Sequence, residues 1–128
     1  MDKDGVGKKG EEFCKKHYSS KGYDIIASNY HSKFGEIDLI AQNKDTLVFV
    51  EVKTRGEGQI LDAKDAVTLS KQKKIILTAM KFLESNKEEI NIRFDVFEVI
   101  HKEGKLTKFR KIENAFEADE RVLGKYHF

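Results

Sequence analysis

The chain has 128 residues, 39% of them hydrophobic and 36% charged, which describes one globular domain with a heavily charged surface and no room for a second domain. Its single cysteine excludes an internal disulfide. No apolar run approaches the length of a transmembrane helix, the N-terminal MDKDGVGKKG lacks the apolar centre of a secretory signal, and the expected compartment is the cytoplasm. A formal net charge of +2 is too small to mark a nucleic-acid binder by itself.

From the N-terminus, Val6, Gly10, Phe13, Cys14 and His17 recur at helical spacing and predict a first helix over Val6 to Ser19, ended by Gly22. Cys14 and His17 read as core. Glu11 lies at the edge of the apolar stripe, near the helix N-terminus, where the macrodipole favours a carboxylate. Tyr23 to His31 predicts a strand whose imperfect alternation suits a sheet covered on both faces.

Phe34–Gln42 and Thr46–Thr54 predict a second and a third strand, joined as a hairpin by the polar turn at Gln42-Asn43-Lys44-Asp45. Residues two apart on a strand share a face, so Glu36 goes with Asp38 and Glu51 with Lys53. A two-residue loop at Lys44-Asp45 places Asp38 opposite Glu51 and Glu36 opposite Lys53, with paired Cβ atoms about 4.5–5.5 Å apart. Ile37, Leu39, Val48, Val50 and Val52 would then line the other face. Two readings fit the polar patch. One is a solvated strand face with an ordinary Glu36–Lys53 cross-strand ion pair. The other is a cation site, because adjacent carboxylates repel unless a cation lies between them.

Arg55 to Asp62, with Gly56 and Gly58, predicts a loop, either a plain connector or a segment that gates substrate. Ala63 to about Asn86 predicts a second helical region, N-capped within it by Ser70, with Ile76, Ala79, Met80 and Leu83 as its apolar stripe. Gln72 falls in that stripe, where a polar residue either hydrogen-bonds the sheet or reaches toward the carboxylate patch, and Lys71 lies on its flank, where a solvated face is the plain reading. Asn91–His101 and Leu106–Ile112 predict a fourth and a fifth strand. Beyond them lies an acidic tail with Glu113, Glu117, Asp119 and Glu120, pinned by Phe116, and no reading attaches to Tyr126-His127-Phe128. Lysines and arginines gather at Lys8/Lys9/Lys15/Lys16, at Lys71/Lys73/Lys74/Lys81 and at Lys102/Lys105/Lys108/Arg110/Lys111, as a solubilising surface or as two grips on phosphate. No phosphate-binding loop, dinucleotide fingerprint, CxxC or HExxH occurs, and His17, His31, His101 and His127 lack zinc-ligand spacing. The carboxylate–lysine hairpin is the one concentration of chemistry.

Glu36, Asp38 and Glu51-Val52-Lys53 resemble the acidic residue and (D/E)-x-K core of the restriction-endonuclease-like superfamily. The block GEIDLIAQNKDTLVFVEVKTR is similar to the signature of the YraN-like family, UPF0102, which is itself similar to archaeal Holliday-junction resolvases. The likeness extends to Gly7-x-x-Gly10-Glu11, Asn29-Tyr30, Lys71-Gln72, Arg93-Phe94-Asp95-Val96 and Asn114-Ala115-Phe116. The superfamily core usually sets a proline before its acidic strand residue, where this chain has Ile37; the resolvase-like variants lack that proline too. The resemblance implies an α/β domain, a mixed sheet of about five strands flanked by helices. It implies a nuclease acting on DNA, on structured or branched forms of it. Asp38, Glu51 and the Val52 carbonyl would hold Mg²⁺ or Mn²⁺, and Glu11 and Glu36 would support the metal. Lys53 would orient water and stabilise the phosphate, with Gln72 or Lys71 completing the site. The rival reading is a nucleic-acid-binding or assembly module that keeps the fold without efficient catalysis, and a third is a homodimer that recruits a protein partner.

Overall fold

The structure is a computed structural model that describes residues 5–85 and 90–118. The expected helix end at Asn86, the acidic Asp119 and Glu120, and Tyr126-His127-Phe128 lie outside those residues.

The first element is helix α1, Val6–Ser20. Its buried residues, Val6, Gly10, Cys14 and Tyr18, recur every four positions, the spacing of a narrow helical stripe. Phe13 and His17, expected on that stripe, sit on its flank, and Tyr18 takes the buried place. Tyr18 can be buried because its hydroxyl donates to Asp95 Oδ2 at 2.7 Å. Gly10 lets the helix come close to the sheet, since a Cβ there would meet Thr54 Oγ1 at 3.2 Å and Val99 Cγ2 at 3.3 Å. Gly22, at φ +88°, turns the chain out of the helix while the Tyr23 N–H donates back to the Tyr18 carbonyl.

Five strands follow: β1 Asp24–Ser32, β2 Gly35–Asn43, β3 Thr46–Gly56, β4 Asn91–Lys102 and β5 Lys105–Phe116. They form one sheet in chain order, with β1–β2, β2–β3 and β4–β5 antiparallel and β3–β4 parallel. The parallel pair requires a crossover. Helix α2, Leu69–Leu83, supplies it and covers one face. On that face Ile37, Ile40, Leu47, Phe49, Phe94, Val96 and Phe116 pack against Ile75, Ile76 and Ala79. On the other face Leu39, Ala41, Val48, Val50, Phe97 and Val99 pack against Cys14 and Tyr18 of α1. The result is the expected α/β architecture, a mixed five-stranded sheet between helices, consistent with a restriction-endonuclease-like fold. No described helix is long and apolar enough to cross a membrane.

Three local expectations change. The N-cap of α2 is Thr68, whose hydroxyl accepts from the Lys71 N–H at 3.2 Å, so Ser70 lies inside the helix. Arg55 and Gly56 continue β3, because β4 runs in register beside them to His101. The connector after them is two short 3₁₀ turns, Glu57–Gln59 and Ala63–Asp65. Strand β5 extends beyond Ile112 to Phe116, whose ring stacks on Phe94 with centroids 5.0 Å apart.

Candidate functional site

The hairpin turn is the two-residue loop Lys44-Asp45, with Lys44 at φ 53°. The ladder runs from Asn43↔Thr46 to Leu39↔Val50 and stops there. Its next rung is replaced by a side chain: the Val52 N–H donates to Asp38 Oδ2 at 2.8 Å. At the same level the strands change phase. Ile37 and Ile40, three residues apart, both face α2, and so do Ala27 and Tyr30 on β1. Asn29, at φ 51°, lies between the pairs Ser28↔Leu39 and Tyr30↔Ile37. A residue in the left-handed region rotates the strand and resets which side its neighbours face. Ile37, paired with Tyr30, faces α2 with it and does not join Leu39, Val48, Val50 and Val52 on the α1 face, as strict alternation predicts. Asp38 therefore stands where β2 and β3 part.

Glu51 lies beside it, on the face of β3 that carries Leu47 and Phe49 toward α2, and is 5% exposed. Burial pushes its carboxyl up to about 7, aided by a hydrogen bond with Asp38 and by the Asp38 charge, and opposed by Lys71 and Lys53. Lys71 Nζ is 3.5 Å from Glu51 Oε2 and Lys53 Nζ is 3.8 Å away. Two carboxyls and two ammonium groups thus share one half-buried pocket of charge, and Glu51 holds its proton more tightly than an ordinary carboxylate does.

The other candidates lie around it. Glu11, from α1, has its pKa raised by burial first and then by the Asp38 charge, with Glu36 adding to the effect and Lys15 opposing it. Glu36 pairs with His31 Nδ1 at 3.2 Å across the β1–β2 hairpin, and not with Lys53 as the extended register predicts. The ladder ends before that rung, and Lys53 stands in register with Glu98 on β4. Gln72 turns inward on its own helix start, where Nε2 donates to the Val67 carbonyl at 3.0 Å. Among the described residues no three acidic, histidine or cysteine side chains converge to hold a metal ion. The available oxygen donors at the centre are the carboxyls of Asp38 and Glu51 and the backbone of Val52. Cys14 is buried, and its thiol is pushed well above its ordinary range by desolvation and then by Asp38, so it is no nucleophile.

A second charged centre was not anticipated from sequence. Glu98 on β4 is fully buried and receives two arginines, Arg55 Nε at 2.5 Å and Arg110 Nε at 2.5 Å. The same arginines donate onward, Arg55 to the Ala66 carbonyl at 2.8 Å and Arg110 to the Leu61 carbonyl at 2.7 Å. Thr107 reaches Glu57 at 3.1 Å. The connector between Lys53 and Lys71 is thereby tied to the sheet at three points. The signal in the sequence was two acidic residues, Asp95 and Glu98, in the otherwise apolar run Phe94 to Ile100, which burial allows only with partners.

A model of a family described as "Uncharacterised protein family UPF0102" matches residues 10–99. The chain belongs to this family. A UPF0102 protein of Acinetobacter baumannii (strain AYE) is 43% identical over 127 residues, covering 89% of this chain and 96% of that protein. UPF0102 proteins of Alkaliphilus oremlandii and of Caldanaerobacter subterraneus are each 42% identical, covering 87% and 91% of this chain and 97% and 98% of theirs. The matched segment of this UPF0102 chain contains Glu11, Glu36, Asp38, Glu51, Lys53, Lys71 and Gln72.

Proposed function

We propose that this chain is a divalent-cation-dependent nuclease that cleaves DNA phosphodiester bonds, with structured or branched DNA as its substrate class. The observation that supports this reading is the meeting of Asp38 and Glu51 at the parting of β2 and β3, with Lys53 and Lys71 on the same carboxyl. A hard cation takes oxygen ligands, and Mg²⁺ is commonly held by one or two carboxylates with water and substrate phosphate filling the rest. The pair fits that demand: Glu51 holds its proton above the ordinary carboxylate range, so a cation would compete with that proton, and the pair lies where β2 and β3 part. Asp38, Glu51 and the Val52 carbonyl would hold Mg²⁺ or Mn²⁺, with Glu11 and Glu36 adding negative charge nearby.

Bound there, the ion supplies Lewis acidity toward a phosphate oxygen and acidifies water. The residues of the chain do the rest. Lys53 orients the attacking water and meets the charge that builds on the phosphate in the transition state. Lys71, held on Glu51 in the free protein, is close enough to turn to a phosphate. Binding to DNA relies on lysine and arginine contacts to phosphate, so affinity falls steeply with salt and depends little on base sequence.

The test is a cleavage screen over duplex, single-stranded, flap and four-way-junction DNA with Mg²⁺ and with Mn²⁺, beside Asp38→Ala. Metal-dependent cleavage that disappears in the variant supports the reading. Cleavage that Asp38→Ala leaves intact, or its absence on every substrate, overturns it. The second reading, a nucleic-acid-binding or assembly module on the same fold, is favoured by the lack of a three-donor cluster among the described residues. DNA binding unchanged by metal and by Lys53→Ala is its signature.

A further inference from the structure

On the flank of α1 away from Asp38, Phe13 and Phe109 leave 37% and 42% of their surface in solvent. Their rings meet edge to face with centroids 5.2 Å apart, and Phe109 stacks on the buried Phe97 at 5.2 Å and 10°. His17 closes the group at 5.1 Å from Phe109. Beside them lies a cavity of about 380 Å³ lined by Phe13, Leu106, Lys108 and Phe109. Phe13 also borders a second depression of about 490 Å³ rimmed by Lys9 and Lys16. Lys9, Lys16 and Lys108 are exposed. Among the described residues lining the two depressions the carboxylate is Glu12, engaged by Lys15 at 3.4 Å, while Glu57 accepts from Thr107 beside the first at 3.1 Å.

We propose that this groove binds single-stranded nucleic acid, with bases stacking on Phe13 and Phe109 and phosphates lying along Lys9, Lys16 and Lys108. The proposal rests on the nucleic-acid reading above and adds to it a seat for an unpaired strand. Aromatic faces with lysines beside them suit a single strand, because every base offers a π-face whatever the sequence and a duplex hides those faces. A second copy of the chain is a poorer occupant. Two-fold pairing would bring two lysine-rimmed patches of like charge together. The lysines of the edge strand β5 also oppose strand addition. Helix α1 carries Glu11 on the side of Asp38 and Phe13 on the side of β5, so one helix would place a cut strand and its unpaired continuation.

The chain contains no tryptophan, so Phe109→Trp introduces a sole indole reporter in the groove. In metal-free buffer it is titrated with oligothymidylate, with the same backbone lacking bases, and with blunt duplex. Thymidylate should quench the indole and bind roughly tenfold more tightly than the abasic strand, the effect of about one stacked base. Adding Phe13→Leu, which keeps the apolar packing and removes one of the two π-faces, should narrow that difference measurably while the far-ultraviolet circular dichroism stays the same. Equal binding of abasic and normal strands overturns the proposal. So does quenching that tracks protein concentration without DNA, the mark of self-association. Quenching without cleavage of any DNA keeps the groove and removes the nuclease, whereas cleavage without quenching does the reverse.

Discussion

The Val52 N–H donates to Asp38 Oδ2 at 2.8 Å, at the level where the next rung of the β2–β3 ladder would form. Asp38 is therefore part of the backbone architecture as well as of the charged pair. Asparagine at this position keeps an acceptor oxygen and removes the charge facing Glu51, while alanine leaves the Val52 N–H without its partner. An unmet donor costs about 1–3 kcal/mol. In urea unfolding, Asp38→Asn should be as stable as the parent or more so, and Asp38→Ala less stable by roughly 1–2 kcal/mol. Equal loss in both variants would show that the hydrogen bond carries no weight.

The raised Glu51 carboxyl gives a pH signature. Its folded pKa, about 7, lies above the ordinary 4.5, so between these values the folded state holds more protons than the unfolded state. Stability from this group is complete below about pH 4.5 and falls as pH rises toward 7, by at most about 1.4 kcal/mol per pH unit. Glu51→Gln should flatten that part of the stability–pH curve. Parent and variant curves that stay parallel from pH 4.5 to 7 would contradict the assignment.

A cation that takes the place of the Glu51 proton should stabilise the fold. At about 100 times its dissociation constant a native-state ligand adds roughly 2.7 kcal/mol, which raises the melting temperature by several degrees. Asp38→Asn should abolish the Mn²⁺-dependent shift. Lys53→Ala should retain the shift and lose cleavage, because the proposed role of Lys53 is toward the phosphate and not the ion. A parent protein whose melting temperature ignores millimolar Mn²⁺, with DNA present, leaves the binding-module reading in possession.

Glu98 should prove structural and indirectly functional. Replacing it with alanine strands Arg55 and Arg110 beside a buried vacancy, and breaking a buried ion pair typically costs about 3–5 kcal/mol. The milder Glu98→Gln keeps the shape and weakens both arginine bonds. Limited proteolysis should then cut first between Glu57 and Thr68, the connector that those arginines hold through Leu61 and Ala66. Cleavage elsewhere with this connector still protected would refute the clamp.

Much of this arrangement is written in local chemistry. Alternation and the β-branched residues of Thr46–Thr54 mark a strand. The polar Lys44-Asp45 marks a two-residue turn, and the turn sets the register that brings Asp38 level with Glu51. These signals are legible because they depend on neighbours in the chain. Where β2 and β3 separate is a different matter. It is decided by β4 taking the other edge of β3 in parallel, by the rotation at Asn29 and by the Asp38 carboxylate replacing a rung, none of which alternation encodes. The same holds for Lys71, which reaches Glu51 only because α2 crosses back over the sheet, and for Tyr18, buried in place of Phe13 because Asp95 of a distant strand receives its hydroxyl. Buried charge is the extreme case. Glu98 looks like an ordinary polar residue until tertiary packing removes its water and supplies two arginines, since the free energy of a buried carboxylate depends on partners that only the folded chain assembles.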